Sequence, residues 1–502
     1  MPKKKKKGRT PPPPKQQTNQ PKAKPKGRQV PAATQKPVSA PKPPAPAPVE
    51  LPETADAPAA APPPPPPREI DPHQQALEQR WEEFRALEDY EEQIAMFRAT
   101  LDDGLMDEEN AFEMLNTIYS KSIDHNDHEP YIELINLLRE REPELYENDS
   151  QYYIANLINI AIVTGQTEPL PTLVEEMTEQ AEAAIDDFLN MIDKLLYHGY
   201  GDLAANAMRK AWPAIKESQD ILNPRRIGYQ AVDVIMHAYL DNTEHPDGND
   251  PQLLENLADI TDTPVVPEKL ARYIELAHGE NLPQWSMSDF DLPRKGQKGY
   301  KKTKNEEEDD QLTDSPRNNL YELTVAFLSY LRHTENVPYV KGYLVRESID
   351  LYILDRLAGD IKPRQPMLLH PKQQPAPKPP DVPSPSQIEH ILCPDGVTIE
   401  LFSDRFFGFM SVDFHRFAAL LELLPAWLRF LETLQLLDAE QHARATQDLR
   451  SKIVVSAHTW TNREDKIMGA NVRNVWEITD EDVAASRAAA EKQLEEQMSN
   501  LM

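Results

Sequence analysis

Five of the six positions 124–129 carry side chains that bind metal ions: Asp124, His125, Asp127, His128 and Glu129. Clustered His and carboxylates are the usual raw material of a metal site. This group, however, falls where a helix should begin, and Asp127 ahead of Glu129-Pro130 is a capping sequence. It is read as a helix start, with no metal assigned. His390, Cys393 and Asp395 raise a second chemistry, a thiol nucleophile beside a base. Cys393 is the single cysteine of 502 residues and lies in an apolar run before a turn. A lone thiol in that setting is a small buried hydrophobe. No catalytic residue is assigned to it.

No Walker loop, dinucleotide fingerprint, zinc spacing, kinase set or Gly-x-Ser-x-Gly occurs. Sixteen glycines in the whole chain leave little material for phosphate-cradling loops. The expectation is a protein that is not an enzyme and holds no cofactor. One cysteine allows no internal disulfide, which fits a reducing, cytoplasm-like compartment, or the nucleus if the source is eukaryotic. No signal peptide is visible, and the longest apolar stretch, Phe414 to Leu437, carries His415, Arg416, Glu422, Arg429 and Glu432, too many charges for a membrane span.

The charge is divided. The chain carries −29; residues 1–49 hold 13 basic side chains and no acidic one, leaving −42 on the rest. Lys3, Lys4, Lys5, Lys6, Lys7 and Arg9 are candidates for polyanion contact. No aromatic residue occurs in the first 68 positions, so nucleic-acid binding there would be blind to sequence. The same lysines also serve as a solubilising tail, or as an arm attracted to the acidic body at low salt. Runs Pro11–Pro14 and Pro62–Pro67 make stiff polyproline spacers, and residues 1–68 are expected to be a disordered basic tail.

Asp71-Pro72 then starts a series of helices. Trp81, Phe84, Leu87, Ile94 and Phe97 share a face at helical spacing, ended by Gly104. Phe112, Leu115 and Ile118 mark the next helix, and Tyr131, Leu134, Ile135 and Leu138 a third. Gly165 and Gly199 stand 34 residues apart. Aligned on them, Ile154 pairs with Phe188, Leu157 with Met191, Ile158 with Ile192 and Ala161 with Leu195; beyond them Leu170 pairs with Ala204, Val174 with Met208 and Met177 with Ala211. Each unit reads as a helix, a glycine turn and a second helix.

Over residues 151–217 this register resembles the tetratricopeptide repeat. Gly199, Ala204 and Ala211 fit its small positions, whereas Ile158 and Ile192 stand where a small residue is expected and Glu182 and Lys216 where the closing proline would be. The resemblance implies an irregular α-solenoid of stacked helical hairpins with a binding groove. Its groove-facing positions would be Tyr152, Asn159 and Val163 on one hairpin and Asp186, Asp193 and Tyr197 on the next. The acidic pair would favour a basic or extended ligand; the alternative for all six is an ordinary solvated helix face.

The expected organisation is a tail at 1–68, a helical-repeat domain at 69–280, a charged linker at 281–316, a helical pair continuing the solenoid at 317–360, a Pro-rich linker at 361–386 and a small α+β C-terminal module at 387–502. In that module Val397 to Phe402 and Phe406 to Val412 are strand candidates, and helix 413–437 would be interrupted or bent at Pro425. The fold expectation is thus mainly α. The leading functional expectation is a non-catalytic scaffold binding a peptide or partner protein. A nucleic-acid- or ribosome-associated factor tethered by the basic arm, and an enzyme seated in the C-terminal module, are the other two classes. The sequence leaves the oligomeric state open.

Overall fold

The computed structural model divides the chain into two units, residues 1–69 and 70–502. It describes residues 72–261, 265–290, 316–358, 390–394, 396, 399, 414–460 and 466–501, all in the second unit. The tail 1–68 with Lys3 to Lys7 and Arg9, the linker 361–386, Asp395 and the strand candidate 406–412 lie outside the described residues. So does the charged linker from 291 to 315.

Every regular element among the described residues is helical. Eighteen α-helices occur there: α1 (Pro72–Arg85), α2 (Tyr90–Asp102), α3 (Glu108–His125), α4 (Glu129–Arg141), α5 (Pro143–Asn148), α6 (Ser150–Thr164), α7 (Leu170–Glu179), α8 (Ile185–Tyr197), α9 (Gly201–Glu217), α10 (Pro224–Asn242), α11 (Pro251–Ala258), α12 (Pro267–Ala277), α13 (Pro316–His333), α14 (Tyr339–Ala358), α15 (Phe414–Thr433), α16 (Ala439–Trp460), α17 (Lys466–Val475) and α18 (Asp480–Leu501). Proline writes many of the starts: α1, α5, α10, α11, α12 and α13 open on it, where its missing N–H costs no intrahelical bond.

The apolar face running from Trp81 to Phe97 belongs to two helices. Asp89 accepts from the Glu92 backbone N–H at 3.0 Å and caps α2, so the chain breaks before Tyr90. At 124–129 the break falls one residue from the expected cap. Asn126 closes α3 in the left-handed region, at φ 53°, and His128 occupies the N-cap position of α4.

Two apolar cores form. Helices α1 to α5 build the first around Phe84, Phe97, Met114, Tyr119 and Tyr131. The second extends from α6 to α18. Helix α6 serves both: Tyr153 and Ile160 enter the first core, and Ile154, Ile158, Ala161 and Ile162 the second.

The 34-residue register marks two helical hairpins. Helix α6 packs on α7 and α8 on α9; α6 also meets α8, and α7 meets α9. Gly165 and Gly199 both lie at positive φ, 72° and 82°, the conformation a side chain resists most. In the aligned pairs every member is buried except Leu157, which is half-buried.

Three expectations are corrected. Residues 281–290 are not a linker: a 3-10 turn at Met287–Phe290 buries Phe290, and Trp285 packs on the second core. The described part of 387–502 contains no strand, which runs against the α+β module, and Ile399, inside the strand candidate 397–402, is helical. A short apolar run such as Val397 to Phe402 carries no period that separates strand from helix. Nor is that region set apart from the preceding helices. Helix α15 packs on α8, α13 and α14, and its Phe417, Leu421, Trp427 and Leu431 belong to the same core as Ile192 and Tyr343.

Helix α15 also continues through Pro425. A proline there removes the N–H that would reach the Leu421 carbonyl. The Trp476 indole Nε1 supplies the missing donor to that carbonyl at 2.7 Å.

Candidate functional site

Helix α8 carries three of the six groove candidates, and its inner face is covered by other parts of the chain. Asp193 accepts two hydrogen bonds from Arg416 of α15, one from Nε and one from Nη2, the latter at 2.9 Å. Arg416 Nη1 also donates to Glu347 of α14. One turn on, the Tyr197 hydroxyl donates to Glu422 Oε2 at 2.7 Å and accepts from Asn471 Nδ2 at 3.2 Å. Lys341 of α14 completes the set: its Nζ donates to both Glu422 oxygens at 2.8 Å and stands 4.0 Å from the centroid of the Tyr197 ring. The Asp193–Arg416 and Lys341–Glu422 side chains are all at most 14% exposed, so each charge is held by its partner and not by water.

Asn159, on α6, is buried. Its Nδ2 donates to the Tyr119 hydroxyl at 2.8 Å and its Oδ1 accepts from Lys194 at 3.3 Å. Asn156, three residues earlier, donates to the Tyr131 hydroxyl at 2.9 Å. These amides tie the first core to the hairpins. Tyr152 is 43% exposed and meets the edge of Phe112 at 5.3 Å. Val163 is half-buried and Asp186 exposed. The structure therefore separates the six. Asp193, Tyr197 and Asn159 are used inside the fold, and Tyr152, Val163 and Asp186 remain accessible.

The basic ligand expected for the acidic positions is, at Asp193, a side chain of the same protein. Sequence reasoning misses Arg416, Glu422, Lys341 and Glu347 as its neighbours. The available signal is the presence of Arg416 and Glu422 in the apolar stretch 414–437: charges in such a stretch need partners.

A second polar cluster lies where α10, α12 and α14 meet. His237 is fully buried, with Nδ1 donating to the Asp233 carbonyl at 2.6 Å and Nε2 accepting from the Tyr273 hydroxyl at 2.7 Å. Tyr343 stacks on its ring at 4.9 Å. Burial drives the imidazole down to about 3, so it is neutral. Asp233 moves the other way: burial pushes its carboxyl up to about 6, with the Arg346 charge pulling it back. At the end of α10, Asp241 accepts from the backbone N–H groups of Tyr339 and Val340 at 2.8 and 3.0 Å and so caps α14 from 98 residues away.

Of the two sets of side chains considered from sequence, the first is divided between two helices, and Asp395 of the second lies outside the described residues. His125 stacks on Tyr90 at 5.2 Å, whereas His128 turns inward to the Ser122 hydroxyl at 3.2 Å, so the two imidazoles diverge. His390 directs Nε2 to the Leu436 carbonyl at 2.7 Å, and Cys393 is buried. Among the described residues no three His, Cys, Asp or Glu side chains are grouped to hold a metal ion, and no helix is long and apolar enough to cross a membrane. Comparison with protein-family models, with curated proteins and with solved structures yields no match to this chain.

Proposed function

We propose that the protein is a non-catalytic scaffold: an irregular solenoid of tetratricopeptide-like hairpins that binds a peptide or partner protein along the first helices of its hairpins. The observation that carries this reading is the way α8 holds α15. A helix is gripped by acid–base contacts from Asp193 and Lys341 around an aromatic ring, which is the recognition such a face would use on a separate chain. The α8 end of that face is filled internally, so the partner's place is the remaining stretch, with Tyr152 and Val163 on α6 and Asp186 on α8. An exposed tyrosine, with a carboxylate at the equivalent position of the next hairpin, suits a basic or extended peptide.

Selection from a displayed peptide library on the full chain tests this. Enriched peptides should carry Lys or Arg, and their affinity should fall at least tenfold in Tyr152→Ala and in Asp186→Lys. Peptides that bind both variants as well as wild type would overturn the reading.

A second reading rests on the 13 basic residues ahead of Glu50, with no acidic residue among them. It makes the protein a factor tethered to nucleic acid by its N-terminal arm. Binding to mixed RNA across a salt series, with and without residues 1–68, separates the two. A salt-steep affinity that vanishes with the arm belongs to the second reading alone.

A further inference from the structure

The exposed ring of Tyr152 reaches beyond the hairpins to α3. It meets Phe112 edge to face, with centroids 5.3 Å apart and planes at 63°. Tyr152 is exposed and Phe112 half-buried, so the two rings make an apolar ledge between α6 and α3. Carboxylates flank the ledge on both helices. Glu108 is exposed and lies one helical turn, about 6 Å, before Phe112 on α3. Its Oε2 accepts from Asn148 Nδ2 at 3.1 Å, which ties the end of α5 to the start of α3. Asp149 follows Asn148 in the chain, is half-buried, and its carbonyl accepts the Tyr152 N–H at 3.0 Å. Phe112, Tyr152, Asp149, Asn148 and Glu108 are thus joined in a closed path of ring contact, hydrogen bonds and one helical turn.

The same protein shows what a ring flanked by a carboxylate holds. At Tyr197 the Lys341 ammonium stands 4.0 Å from the ring centroid and donates to both Glu422 oxygens at 2.8 Å. At Tyr152 that third member is missing: among the described residues no Lys or Arg pairs with Glu108 or Asp149. Burial first, and the Glu108 charge second, raise the Asp149 carboxyl above its ordinary value, as expected of carboxylates near one another without a counter-charge. Along the rest of the face the sign changes. Lys194 of α8 donates to Asn159 at 3.3 Å and puts a positive charge there, so a partner's cation is favoured at the α3 end.

We infer that the ledge between α3 and α6 is the anchoring subsite of the peptide face proposed above, and that it takes a lysine side chain of the partner. The ammonium lies on the Tyr152 ring between Asp149 and Glu108, and the methylene stem lies against Phe112. Charge complementarity, on the pattern of Lys341 at Tyr197, selects this occupant. The inference rests on the peptide-binding reading and adds α3 to a face otherwise built from hairpins.

Fluorescence anisotropy on the full chain decides it, at physiological salt, where loose attraction to an acidic surface is screened. The probe is a labelled twelve-residue peptide alternating Lys with Leu, set against the same peptide with every lysine acetylated, which removes the charge and keeps the stem. The lysine peptide should bind more tightly. Glu108→Gln and Phe112→Ala should each weaken it about threefold or more, whereas Glu255→Gln, an exposed carboxylate on α11, should leave it unchanged. Glu108→Gln is exposed and nearly isosteric, so it keeps the test open if Phe112→Ala fails to fold. Equal affinity of the two peptides overturns the inference, and so do equal effects of Glu108→Gln and Glu255→Gln. If Tyr152→Ala and Asp186→Lys weaken binding while Glu108→Gln and Phe112→Ala do not, the subsite falls and the peptide-binding reading stands. If none of the four changes the affinity, both fall.

Discussion

Arg416 and Asp193 are joined by two hydrogen bonds across 223 residues of sequence. The pair fastens α15 to α8, and it does so where both side chains are at most 14% exposed. Removing Asp193 leaves Arg416 with Glu347 as its acceptor, and removing Arg416 takes two donors from Asp193; breaking a buried pair in this way costs up to about 3–5 kcal/mol. Arg416→Met and Asp193→Leu should each lower the urea midpoint strongly, whereas the double variant should lose much less than their sum. Additive losses would mean that the two charges are solvated separately. The same contact bears on the C-terminal region: residues 387–502 alone should be insoluble or lack a cooperative melt, because α15 would present its buried face to water.

Trp476 should matter for a reason other than its size. Its indole donates to the Leu421 carbonyl that Pro425 leaves without a backbone partner. Trp476→Phe keeps most of the ring and strands that carbonyl, at about 1–3 kcal/mol. Pro425→Ala restores a backbone donor, so it should cushion Trp476→Phe. Thermal melts of wild type, the two single variants and the double variant test the coupling. Equal losses from Trp476→Phe with and without Pro425→Ala would refute it.

His237 and Asp233 sit four residues apart on α10 and give opposite pH dependence. The His237 imidazole is held at about 3 against its ordinary 6.5, so its contribution to stability is complete above about 6.5 and is lost as pH falls toward 3. The Asp233 carboxyl is raised from 3.8 to about 6, so its contribution is present below about 3.8 and is lost as pH rises through 6. Between those limits the two slopes offset. Asp233→Asn should unmask the first, with stability falling by up to about 1.4 kcal/mol per pH unit on acidification from 6 to 4. His237→Gln should unmask the second, with stability rising over the same interval. Urea midpoints at pH 4, 5, 6 and 7 provide the readout, and parallel profiles in the three proteins would sink the idea.

The hairpin register makes a packing prediction. Ala204 is fully buried where α9 meets its neighbours, and its 34-residue partner is Leu170. Ala204→Leu places a large side chain in a space built for a methyl group and should cost about 1–3 kcal/mol. A melting temperature at or above that of wild type would mean that the two hairpins do not depend on close approach at this position.

What the sequence disclosed was local. The proline that opens α1, the left-handed glycines at 165 and 199, and the apolar spacing of α3 and α4 each depend on a few neighbouring residues. Asp89 shows the limit even there, because the face from Trp81 to Phe97 keeps helical spacing across a cap that divides it. Distant pairing left no such trace. Nothing near Asp193 announces Arg416, and nothing near Asp241 announces the N-terminus of α14. For the same reason the groove candidates divided: Asp186 and Asp193 lie two turns apart on one helix, and it is Asp193 that α15 reaches. The strand candidate at 397–402 rested on a short apolar run, whose spacing does not tell a strand from a helix.

The long reach of the Arg416–Asp193 contact sets an order of events at the ribosome. Helix α8 is finished more than two hundred residues before the helix that covers it exists. At about 5–20 residues per second that interval is roughly ten to forty-five seconds. Throughout it, Asp193 lacks Arg416, and Tyr197 lacks Glu422 and Asn471. A nascent chain of this protein therefore exposes the hairpin face for a time before closing part of it, and the folding machinery, or any ligand for that face, meets it first in that open form.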